Sequence, residues 1–65
     1  MVQGYTKQVK AILRENGWRF LRTGKGDHEI WAHADAPKPV VVDGKIMSRH
    51  TANAILKQAG IRTRL

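Results

Sequence analysis

The stretch from Trp18 to Val42, "WRFLRTGKGDHEIWAHADAPKPVVV", decides the fold. Three runs within it, 18–23, 28–33 and 39–42, are rich in aromatic and β-branched residues and read as strands. Between them lie "GKGD" (24–27) and "ADAPK" (34–38), turn sequences too short for a crossover helix. Short turns join antiparallel neighbours, so the expected sheet is a three-stranded antiparallel meander.

On either side of this block the apolar period changes from 2 to 3.6. Val9, Ile12 and Leu13 share one helical face, as do Ala52, Ile55, Leu56 and Ala59. Each run meets a glycine, Gly17 or Gly60, suited to the left-handed residue that ends a helix. The following apolar residue, Trp18 or Ile61, can then fold back onto Leu13 or Leu56. Thr6 and Ser48 are the expected N-caps, giving helices of about 11 to 12 residues. The fold class is therefore α+β, in the order α-β-β-β-α, with both helices on one face of the sheet. The chain, residues 1–65, is expected to form a single domain.

Alternation offers two candidate core sets. Phe20, Ile30, Val40 and Val42 form one, and Leu21, Trp31 and Val41 the other. The first set is the expected core. The second would leave an apolar strip bearing Trp31 on the open side of the sheet, a feature that marks interfaces. A protein partner or a nucleic acid would be expected to cover that side.

Charge narrows the class of partner. Twelve Lys and Arg oppose five Asp and Glu, for a net charge of +7. Both halves of the chain carry the excess, so it belongs to the folded body and not to a basic tail. A small basic domain points to a polyanion, either nucleic acid or an acidic protein. There is no cysteine, so neither disulfides nor a thiolate zinc site can reinforce so small a core. No apolar run approaches the length of a membrane span, and "MVQGYTKQVK" lacks the apolar centre of a signal peptide. The expected setting is cytoplasmic, with no membrane contact.

His28 opens the second strand beside a glycine-rich basic turn. Lys25, between Gly24 and Gly26, either points its ammonium at a phosphate or belongs to an ordinary hairpin turn. Arg22, near the same turn, is a candidate phosphate contact, and Gly26 allows close backbone approach. Asp27 precedes His28, but neighbours on a strand point to opposite faces, so a direct pair is not expected. His33 is expected in a strand-end hydrogen bond and His50 in the first turn of the last helix, neither with a chemical role. The carboxylates Glu15, Asp27, Glu29, Asp35 and Asp43 are scattered without ligand-like spacing, so no metal and no cofactor is called for.

Taken together, "NGW" (16–18), "GKGDHEIW" (24–31) and "HTANAILKQAGI" (50–61) within the α-β-β-β-α order resemble the HicA-type toxins. These are small messenger-RNA interferases of type II toxin–antitoxin modules. The likeness runs from Thr6 to Ile61. It implies a double-stranded-RNA-binding-domain-like fold, RNA as substrate and a HicB-type antitoxin as partner. The family's catalytic histidine follows a glycine and a small polar residue at the second strand, which falls on His28. The preceding residue is commonly serine in the family, whereas this chain has Asp27.

One histidine suits that chemistry. RNA supplies its own nucleophile, the 2′-hydroxyl, and an imidazole can exchange a proton either way near neutral pH. A non-catalytic module for double-stranded RNA and a pure protein-interaction domain are the alternatives; neither demands His28.

Overall fold

A computed structural model describes residues 4–65, so residues 1–3 of the expected domain lie outside the described residues. Its elements follow the expected order: α1 Thr6–Glu15, β1 Arg19–Thr23, β2 Glu29–Ala32, β3 Val40–Val42 and α2 Arg49–Gln58. The strands form one antiparallel sheet in the order β1-β2-β3, with β2 in the middle.

Both helices are 10 residues long and end as their glycines dictate. Gly17 and Gly60 have φ of +88° and +74°, which only glycine adopts cheaply. The amide of Trp18 donates to Leu13 O at 2.9 Å and that of Gly17 to Arg14 O at 3.1 Å. Ile61 and Gly60 repeat the arrangement on Leu56 O and Lys57 O. These paired bonds satisfy carbonyls that a helix end otherwise leaves open. They also bring Trp18 and Ile61 into the core.

The two N-termini differ from each other. Ser48 caps α2, its hydroxyl accepting from His50 N and Thr51 N. Thr6 is not the cap of α1: that position is Tyr5, which makes no side-chain cap bond. The Thr6 hydroxyl instead accepts from Ile46 N at 2.8 Å and donates to Gly44 O at 3.3 Å. Two long-range backbone partners occupy the oxygen that capping would have used. The exchange ties the start of α1 to the loop after β3, whose Ile46 is fully buried.

The expected core is half right. Val40 and Val42 are buried beneath Val9, Leu13, Ala52, Ile55 and Leu56, but the sheet's main contribution is Trp31, 1% exposed. Phe20 is exposed, and Ile30 is half-buried and outside the core cluster. Register explains the difference. Trp31 pairs with Val40, so its ring must share the face that Val40 turns toward the helices. Ile30 pairs with Val41 on the opposite face. The Trp31 indole N–H donates to Glu29 Oε1 at 2.9 Å, and Lys10 of α1 holds the same carboxylate at 3.0 Å. Arg14 stacks over the ring at 5.1 Å. A large ring buried with its one polar atom satisfied fills the layer better than isoleucine would.

In β1 the alternation breaks. The pairing shifts between Phe20 and Arg22, so Leu21 is the extra residue of a bulge. Phe20 lies edge-on to Trp31 at the margin of the core, 6.4 Å between ring centres. The apolar residues on the open side are thus Leu21, Ile30 and Val41, without Trp31.

Candidate nucleic-acid interface and acid–base site

The β1–β2 hairpin builds the site. Gly24 N donates to His28 O at 2.7 Å, and His28 N donates to Lys25 O at 3.2 Å, closing a tight turn. Gly26 takes φ of +66°, so its glycine requirement is conformational; a Cβ there would meet nothing within 4 Å. Lys25 and Gly26 are exposed at the tip. Gly24 serves differently. A Cβ there would lie 3.1 Å from Ile30 Cδ1 and 3.5 Å from His28 Cβ. Its bare Cα therefore leaves a notch beside His28 on the open face.

Arg22 pairs with Ile30 in the ladder, and Ile30 pairs with Val41. Side chains two apart along a strand share a face, so His28 belongs with Ile30, and Asp43 with Val41. The open face thus carries one row of Arg22, Ile30 and Val41 and a second row of Gly24, His28 and Asp43. Arg22, Lys25, Gly26 and His28 are gathered at one end of this face, as sequence spacing implied.

Sequence reading missed Asp43. Its Oδ1 lies 2.9 Å from His28 Nε2, with both side chains 44% exposed. The link is one step beyond the observed pairing of Glu29 with Val42. A known β2–β3 register would have revealed it; the "ADAPK" connection alone does not set that register. Asp27 forms no ion pair with His28 among the described residues and rests against Gly44, where a Cβ would come within 2.7 Å of its Oδ2. Gly44 is thus the space that the Asp27 carboxylate occupies.

On the helix-covered face the charges do structural work. The Lys10 ammonium and the Trp31 N–H hold the Glu29 carboxyl below the usual carboxylate range, against the opposing effect of burial. His33 Nδ1 accepts from Asp35 N at 2.9 Å, a strand-end bond as expected, and its ring packs on Trp18. His50 lies in the first turn of α2. A hollow of about 270 Å³ lies at the far end of β2, lined in part by Asn16, Trp18, His33 and Asp35. None of Arg22, Lys25, Gly26 or His28 borders it.

Among the described residues, no helix is long and apolar enough to cross a membrane. No curated protein and no solved structure matches the chain. A family model does, described as the HicA toxin of bacterial toxin–antitoxin, over residues 6–61. That span takes in both helix stops, the whole sheet, the glycine hairpin and the loop bearing Asp43. The chain belongs to the HicA toxin family of bacterial toxin–antitoxin modules, in which a toxin is paired with an antitoxin.

Proposed function

We propose that this toxin is an endoribonuclease that cuts messenger RNA in the cytoplasm, with His28 as its general acid–base. The observation that supports it most is the setting of His28. A half-exposed imidazole stands on the helix-free face of a +7 chain, beside the notch at Gly24 and the basic turn at Lys25. In the reaction, His28 takes the proton of a ribose 2′-hydroxyl. The freed oxygen forms a bond to the adjacent phosphorus, the P–O5′ bond breaks with its electron pair on O5′, and the His28 imidazolium returns its proton to O5′. The products end in a 2′,3′-cyclic phosphate and a 5′-hydroxyl. Arg22, Lys25 and the Gly26 backbone bind phosphates along the strand. One acid–base group contributes roughly 10²–10⁴-fold, so turnover is slow.

A HicB-type antitoxin inhibits by covering the open face around His28. Binding only the native toxin, it also raises the melting temperature.

The test is a cleavage assay on purified toxin with EDTA present. His28→Ala should lose cleavage while circular dichroism and RNA affinity stay close to wild type. Cleavage by His28→Ala at the wild-type rate would overturn the assignment. Binding to duplex RNA without cleavage by the wild type would favour the non-catalytic module.

A further inference from the structure

We infer that Asp43 is the positioning residue of His28, and that it leaves Nδ1 as the nitrogen that exchanges the proton with RNA. This rests on the proposed role of His28. The ring nitrogen facing Asp43 Oδ1 at 2.9 Å is Nε2. Turning the ring over would put a carbon in its place and lose the contact. A lone pair on Nε2 would face the carboxylate at 2.9 Å and be repelled by it, so the neutral ring keeps its hydrogen on Nε2 and its lone pair on Nδ1. A base needs that lone pair. Among the described residues the polar side-chain contact of His28 is made through Nε2, and none is made through Nδ1. When Nδ1 takes the 2′-hydroxyl proton, the ring becomes positive and the Asp43 carboxylate stabilises it.

Stability alone does not explain the pair. Two side chains this exposed gain little stability from such a contact. The fold nevertheless spends several constraints on placing Asp43. It follows β3 at the position opposite His28, and two of the next three residues, Gly44 and Ile46, are pinned. The Thr6 hydroxyl bonds Gly44 O and Ile46 N, Tyr5 N donates to Ile46 O at 2.6 Å, and the Ile46 side chain is fully buried. Gly44 also takes up the Asp27 carboxylate. The nearer acid in sequence is thereby held on Gly44, and the nearer acid in space is the one that orients the ring.

Two measurements on the full chain test this. The first is cleavage of a short oligoribonucleotide by wild type, Asp43→Asn, Asp43→Glu and His28→Ala. Asn can donate its amide hydrogens to Nε2, which moves the ring hydrogen to Nδ1 and removes the base. Asp43→Asn should lower kcat by roughly 10²-fold with KM within about twofold, and Asp43→Glu should recover part of the loss. The second is nitrogen-15 NMR of the His28 ring without RNA. Wild type should show the Nε2–H tautomer and Asp43→Asn a shift toward Nδ1–H. Wild-type kcat in Asp43→Asn, or an Nδ1–H tautomer in the wild type, would overturn the inference while an inactive His28→Ala left the nuclease reading intact. An active His28→Ala would overturn both.

Discussion

The indole N–H of Trp31 donates to Oε1 of Glu29, two residues earlier on the same strand and the same face, at 2.9 Å. This bond lets a tryptophan serve as the sheet's central core residue, since the buried indole nitrogen would otherwise face no acceptor. Lys10 anchors the other carboxylate oxygen to α1.

Glu29→Leu and Glu29→Gln should therefore differ. Leucine leaves the Trp31 N–H unpaired and should cost about 1–3 kcal/mol. Glutamine keeps an acceptor, loses only the charge facing Lys10, and should cost about 1 kcal/mol or less. Urea unfolding of both variants measures the gap; equal losses would assign the whole effect to the ion pair.

The same carboxyl makes stability depend on acid. Its folded-state value is lowered, so its contribution is present above the ordinary carboxylate value of 4.5 and fades as pH falls through the folded value. The stability difference between wild type and Glu29→Gln should be constant near neutrality and shrink below about pH 4.5. Unfolding midpoints from pH 7 down to pH 3 give the curve.

The two helix-ending glycines should respond unequally to alanine. Both have positive φ, a strain of about 1–2 kcal/mol for an L-residue. At Gly60 a Cβ meets nothing, whereas at Gly17 it would come within 2.7 Å of His33 Nε2. Gly17→Ala should be the more destabilising by about 1 kcal/mol, because the His33 ring must leave Trp18 and its bond from Asp35 N. In a His33→Ala background the two glycine substitutions should cost the same; thermal melts decide it.

Gly24→Ala should keep the fold and impair the site. The added methyl lies 3.1 Å from Ile30 Cδ1, which a small side-chain shift relieves, and it fills the notch next to His28. Cleavage efficiency should fall by about tenfold with little change in melting temperature, as a misplaced substrate predicts. Unchanged cleavage would mean that RNA reaches His28 from another direction.

Lys25→Ala should weaken binding to all RNA sequences alike and flatten the plot of log affinity against log salt by about 0.7–0.9, the effect of one lost phosphate contact. A titration at several salt concentrations reads the slope. Sequence-dependent losses would instead assign Lys25 to base recognition.

Much of this molecule was legible in one dimension. The change of apolar period, the glycines at 17 and 60, Ser48 as a cap and the two short turns depend on local backbone preferences, which a sequence expresses directly. His28 stood out chiefly because the family resemblance falls on it, and also because it borders a turn whose glycines mark a local conformation. The face of the sheet was not legible. Ile30 and Trp31 are both apolar, so alternation permitted either core, and the register with Val40 and the acceptor at Glu29 selected Trp31. The bulge at Leu21 then removed the β1 alternation that might have resolved the choice. Thr6 went to Gly44 and Ile46 because those partners, some forty residues away, come near only after the core closes. Asp43 meets His28 through the same closure. Local propensity is written residue by residue, while register and long-range polar pairing exist only once the strands and helices have packed.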